Sequence, residues 1–250
     1  ASVANVNLLA QGQAELGLIQ NDIAFYAASG TEMFKGRKVE NLRGIATLYP
    51  EVIQLVATRE SGIRSVEDLR GKRVAVGDIG SGTEANARQI LEAAGLTYRD
   101  VAARYLSFAE AAANLRDGHI DAAFVTAGIP TAAIQDVAVQ KDVVVVPISA
   151  ALARRLAERY PFYTQVTIPA GTYRGQEQAV ATVAVKAMLV ARADLPEELV
   201  YQLTRAIFTN LPRLAQAHAR GADVSLATAR DGMSLPLHPG AQRYFQEAGM

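Results

Sequence analysis

Apolar positions at Val3, Val6 and Leu9, with Leu8 and Ala10 beside them, follow a possible cap at Ser2. That spacing predicts a helix at the start of the chain. A short strand at 16–19 and a helix over 21–28, capped by Asn21 or Asp22, come next. Two strand-like runs, 45–48 and 52–57, are split by Tyr49-Pro50-Glu51. From Arg59 the pattern becomes a regular alternation of strands and helices. Ser65-Val-Glu-Asp68 reads as a capping box for a short helix, and 73–77 as a strand. The loop from Asp78 to Gly82 opens a helix that Gly95 stops. A short strand at 105–106 precedes a second capping box, Ser107-Phe-Ala-Glu110, whose helix ends near Gly118. A strand at 122–126, a helix near 130–137, a buried-type strand at 143–146 and a helix over 149–160 complete this stretch.

The remaining pattern predicts a strand at 163–168 and a turn at 171–175. A strand-like apolar run follows at 179–190, then helices over 196–209, 211–220 and from about 241. The chain is therefore expected to be α/β with two lobes. Residues 1–57 and 166–250 form a discontinuous lobe A, and 58–165 form lobe B with a mostly parallel sheet. Two crossings at matched points put a ligand cleft between the lobes. Lobe A supplies few strands and nothing like an initial strand with a glycine-rich loop. The reading therefore treats the first strand, loop and helix of this lobe as missing from the chain.

Composition narrows the functional classes. The 250 residues carry 25 Lys plus Arg against 25 Asp plus Glu, so the net charge is zero. That excludes a strongly basic nucleic-acid module and an acidic tail. Half the residues are hydrophobic, enough for a sizeable core. No cysteine is present, which excludes disulfides, thiolate nucleophiles and cysteine-rich metal sites. No secretory leader opens this chain. The longest apolar run, 179–191, contains Lys186 and is too short to span a membrane.

The sharpest local chemistry lies between Gly77 and Asn86. Here a strand ends, a loop with Gly80 and Gly82 follows, and a helix begins. Free N–H groups at such a helix start favour an anion. Ser81 can cap the helix, with Glu84 returning a hydrogen bond, and Ser81 and Thr83 carry hydroxyls that can reach a ligand. The same residues also serve as an ordinary capped turn. A P-loop fails because Glu84-Ala85 stands where Lys and Ser/Thr are needed. Gly80-x-Gly82-x-x-Ala85 formally matches a dinucleotide fingerprint, but two extra residues precede it and Glu84 sits where the pyrophosphate would go. No Gly-x-Ser-x-Gly elbow occurs. The histidines, His119, His218 and His238, form no metal-spaced pair. No catalytic residue, metal site or cofactor is expected. Gln20, Asn21 and Asp22 follow a strand directly, where open α/β sheets bind ligands. Glu51, beside a strand break, and Thr126 and Gly128, after another strand, are further candidates.

Taken in order, the segments Ser2-Val-Ala-Asn-Val-Asn7, Gln20-Asn-Asp22, Tyr49-Pro-Glu51, Ser65-Val-Glu-Asp-Leu69, Gly80-Ser-Gly-Thr-Glu84, Asp117-Gly-His-Ile-Asp121, Ile168-Pro-Ala-Gly-Thr-Tyr173 and Pro236-Leu-His-Pro-Gly240 resemble the TAXI family. These are solute receptors of tripartite periplasmic (TRAP) transporters. The resemblance implies a type II, double-crossing periplasmic binding protein fold and an extracytoplasmic location. It also implies glutamate, glutamine or a related small carboxylate as solute, and TRAP permease subunits as partners. Ser81, Gly82 and Thr83 would clamp the carboxylate, and Asp22, Glu51 or Asp78 would meet an ammonium group. Asn86, Thr126 and Gly128 complete the expected site. The alternatives are a sensory ligand-binding module and an NAD-linked α/β enzyme.

Overall fold

The computed structural model describes all 250 residues. The chain begins with α1 (Ser2–Ala10), β1 (Leu16–Gln20) and α2 (Asn21–Ser29). Gly30, at a φ of 69°, ends α2 in the left-handed conformation that glycine adopts without strain. A single strand, β2 (Leu42–Thr58), follows. The sequence pattern had divided it at Tyr49-Pro50-Glu51. Pro50 interrupts nothing, because its fixed φ is compatible with an extended chain. The chain separates into two compact units, residues 1–50 with 186–250, and residues 51–185. The first exchange falls inside β2.

The second unit holds β3 (Arg73–Ala75), α3 (Gly82–Ala93), β4 (Ala102–Arg104), α4 (Phe108–Arg116), β5 (Ala122–Ala127), α5 (Ala132–Gln140), β6 (Val143–Val146), α6 (Ala150–Arg159), β7 (Thr164–Ile168) and the start of β8 (Val180–Arg192). Strands β4, β3 and β5 are parallel neighbours. Strand β2 runs antiparallel to both β5 and β6. The expected strand at 105–106 lies three residues earlier, at β4. This strand is bonded to β3 alone and Tyr105 is exposed, so no burial pattern marked it. Ser65 does not cap a helix as expected. Asp68 Oδ2 accepts instead from the N–H groups of Arg64 and Ser65, each at 2.9 Å, around a short 3-10 turn. The capping box at Ser107 is complete, with both reciprocal bonds made. The core of this unit is built from Val56, Ala75, Leu115, Ile120, Ala123, Val125, Ile134 and Val137.

The second exchange falls inside β8. Residues 166–185, assigned to lobe A from sequence, lie in the second unit, because β7 pairs antiparallel with β8 from Thr164↔Ala184 to Ile168↔Val180. The first unit then resumes. Strand β1 pairs antiparallel with β8 from Leu16↔Ala191 to Gln20↔Ala187. Helices α7 (Glu197–Thr209), α8 (Leu211–Ala217) and α9 (Pro239–Glu247) follow. Helices α7 and α9 pack closely: a Cβ at Gly240 would overlap the carbonyl oxygen of Glu197. Phe208 stacks on Tyr244 at 5.9 Å and meets Phe245 edge-on. Arg243 lies 4.0 Å over the Tyr201 ring. No helix is long and apolar enough to cross a membrane.

Candidate ligand-binding site

The second unit places two loops at the carboxyl ends of parallel neighbours, one after β3 and one after β5. Ligands of α/β sheets bind at this end. In the first loop Gly77 has a φ of 98°, and a Cβ there would lie 2.8 Å from Thr83 Cβ and 2.9 Å from Ser81 Oγ. Glycine is thus required for the loop to fold back on the start of α3. Ser81 N–H donates to Asp78 O at 3.0 Å, and Ser81 Oγ accepts from Glu84 N–H at 3.0 Å. The serine is a true N-cap. The first-turn N–H groups of Gly82 and Thr83 have no helical acceptor behind them. Thr83 is 3% exposed, and its hydroxyl makes no hydrogen bond within the protein. Asp78 is exposed and its Oδ1 accepts from Ile79 N–H at 2.8 Å.

The expected return bond from Glu84 to the cap is not made. Glu84 Oε1 accepts instead from the Tyr98 hydroxyl at 2.7 Å. Burial first, and the Glu84 carboxylate next, push the Tyr98 hydroxyl pKa well above its ordinary value, so it remains a donor.

Asn86 and Thr126 are brought together, as members of a buried chain of side chains. Thr126 Oγ1 donates to Asn86 Oδ1 at 3.1 Å, Asn86 Nδ2 donates to Tyr163 OH at 2.7 Å, and Tyr163 OH donates to Gln89 Oε1 at 2.5 Å. This network ties α3 to β5. The loop after β5 is held by a second network that the sequence reading did not single out. Tyr173 OH donates to Gln54 Oε1, Gln54 Nε2 donates to Thr131 Oγ1 at 3.0 Å, and Thr131 N–H donates to Tyr173 OH at 2.9 Å. Burial raises the Tyr173 pKa. Gly128 O accepts from Thr131 Oγ1 at 2.9 Å. Glu51, half-buried, precedes Val52, which pairs with Ala127. Glu51 and Gly128 therefore share one end of the β2–β5 pair.

Gln20, Asn21 and Asp22 belong to the first unit, where all three are buried. Asn21 Oδ1 accepts from Lys186 N–H at 3.0 Å and from Asp22 N–H at 3.1 Å, while Nδ2 donates to Gly232 O at 3.1 Å. Ser234 Oγ donates to Asn21 O at 2.6 Å. Asn21 thus fastens β8 and the 232–234 loop to the start of α2. Gln20 Oε1 is buried and has no hydrogen-bond partner in the protein. Sequence alone could not show the partners Gly232 and Ser234, which lie more than 200 positions away. Neither unit holds a cluster of three or more His, Asp or Glu with metal-site geometry.

The two-unit α/β architecture, with donor-rich loops at strand ends, is that of the two-lobed periplasmic binding proteins. The fold resembles the periplasmic aliphatic sulphonate binding protein SsuA of Escherichia coli, with 18% identity and a TM-score of 0.54 over 98% of this chain and 66% of that one. It also resembles the alkanesulfonate-binding protein SsuA of Xanthomonas axonopodis bound to MOPS, with 17% identity and a TM-score of 0.52, over 96% of this chain and 68% of that one. A Xanthomonas citri protein bound to ATP matches at 15% identity and a TM-score of 0.52, over 97% of this chain and 78% of that one. The chain thus spans about two thirds of the length of the sulfonate-binding proteins it matches. The NMT1-like family model matches residues 1–249, and the chain belongs to that family.

This corrects the TAXI resemblance, and with it the TRAP permease partner and the glutamate or glutamine solute. The family found is NMT1-like, and the structural matches include proteins named for sulfonates. The segments behind the resemblance supply caps and turns, such as Ser81 and Asp68, that the fold itself requires. They report the fold and say little about the membrane partner. The expectation of a two-lobed α/β periplasmic-binding-protein fold agrees with these findings.

Proposed function

We propose that the chain is the solute-binding component of an ABC-type importer and takes a small organic anion of the sulfonate kind. The observation that carries this reading is the start of α3. There the N–H groups of Gly82 and Thr83 and the unpaired Thr83 hydroxyl gather within one turn, on a loop at the carboxyl end of β3. With the Ser81 hydroxyl, four donors serve an acceptor-only group there. Ser81 Oγ uses its lone pair on Glu84 N–H, which leaves its own proton for the ligand. The positive end of the helix dipole adds to the attraction. Sulfonate binding by proteins of the same fold supports the choice of anion.

Thermal unfolding with a panel of alkanesulfonates tests this. A ligand at a hundredfold over its Kd adds about 2.7 kcal/mol, which raises the Tm by roughly 5–10 °C in a chain of this size. An unchanged Tm across the panel would remove the proposal.

A further inference from the structure

Two helices of the second unit carry the same cap signature, Ser-x-x-Glu, and the structure treats them differently. At α4 the box is closed: Glu110 Oε2 accepts from Ser107 N–H at 2.8 Å and from Ser107 Oγ at 2.7 Å. The carboxylate of that helix therefore occupies its own N-terminal donors. At α3 the serine half of the box is made, but the glutamate half is not. Ser81 N–H is taken by Asp78 O, and the Glu84 carboxylate is held by Tyr98. Tyr98 OH also lies 3.2 Å from Glu84 O, and its ring meets Tyr105 edge-on at 6.3 Å. Both contacts fix the direction of the hydroxyl.

We infer that Tyr98 is a positioning residue for anion binding: by holding the Glu84 carboxylate, it keeps the start of α3 free of the helix's own negative charge. This rests on the reading of α3 as the anion site. The electrostatic logic is direct. A carboxylate in the first helical turn satisfies the same N–H groups and dipole that an incoming anion needs. It also repels that anion at short range. The nearly buried Thr83 hydroxyl, left without a protein partner in the same turn, marks the place the ligand would fill. At α4, by contrast, Ser107 and Glu110 satisfy one another.

The test is a titration of the full chain with methanesulfonate, read from the backbone amide resonances of Gly82 and Thr83. Thermal unfolding confirms that each variant is folded. Tyr98→Phe is expected to weaken binding at least fivefold. Tyr98→Phe combined with Glu84→Gln is expected to bind within twofold of Glu84→Gln alone, because the neutral amide no longer competes. Glu84→Asp, too short to reach Tyr98, is expected to weaken binding as Tyr98→Phe does, and it leaves the tyrosine in place should its loss unfold the unit. Wild-type affinity in Tyr98→Phe, or a double variant as weak as Tyr98→Phe, would overturn the positioning role and leave the anion site standing. Unperturbed Gly82 and Thr83 resonances in the wild type would overturn both.

Discussion

At the scale of single residues, buried polar groups divide into those that build the scaffold and those that remain open to a ligand. Asn86 and Thr126 looked like ligand residues in the sequence because they are polar and follow or precede structured segments. The structure places them in hydrogen bonds to each other and, through Asn86, to Tyr163, which in turn donates to Gln89. Asn86→Ala should therefore destabilise the protein by about 2 kcal/mol, since it leaves the buried Thr126 hydroxyl without its acceptor and takes away a donor from Tyr163 OH. A denaturant midpoint within error of wild type would contradict this. His238, read from sequence as a turn residue, is the N-cap of α9. Its Nδ1 accepts from Gly240 N–H at 3.2 Å, and its Nε2 lies 3.1 Å from Leu195 O. This pattern requires the neutral ring, and burial lowers its pKa below 6.5. A base with a depressed folded pKa takes up its proton more readily in the unfolded chain. Its stabilisation is therefore complete above about pH 6.5 and is lost as pH falls through the folded value. Stability curves for the wild type and His238→Asn, which keeps a cap acceptor, should be separated by a constant offset above pH 7 and change their separation below pH 6. Parallel curves would show that the ring does not titrate with folding.

Among elements, what the sequence shows best is what local chemistry decides alone. The caps at Ser81 and Ser107 are legible because a hydroxyl three positions before a free N–H needs no distant partner. Strands were harder. Strand β2 looked broken at Pro50 because proline reads as punctuation, and β4 was misplaced because a strand bonded on one side has no alternating burial. The ion pair of Arg73 with Asp121 was invisible because it joins β3 to the turn before β5. Arg73 Nη2 lies 2.7 Å from Asp121 Oδ1, and the Arg73 N–H donates to Oδ2 at 2.8 Å. These bonds hold the Asp121 carboxyl below its usual range. Its stabilisation is present above the unfolded pKa near 3.8 and is lost as pH falls through the lowered folded value. Asp121→Asn should cost about 2 kcal/mol at neutral pH. The difference from wild type should shrink towards pH 3 in urea unfolding, and a constant difference would count against the pair. Gly240 is a packing requirement of the same long-range kind. Gly240→Ala should lower the Tm by several degrees, because α9 cannot move away from Glu197 without unstacking Phe208 from Tyr244.

For the whole molecule, alternating strands and helices and the Pro–Gly punctuation were enough to expect an α/β chain in two parts. The exact exchange points were not readable, because residues 166–185 belong with the second unit only through the pairing of β7 with β8. Function was less legible than fold. Cap and turn motifs are demands of the backbone, so they recur wherever this architecture does, whatever membrane partner it serves. What distinguishes the account is one helix start whose donors are left open. Its most direct test is a calorimetric titration of wild type, Ser81→Ala and Thr83→Val with alkanesulfonates. The account predicts one saturable site in the wild type and about tenfold weaker binding in each variant, equivalent to about 1.4 kcal/mol. Wild-type affinity in both variants, or no binding in the wild type, would contradict it.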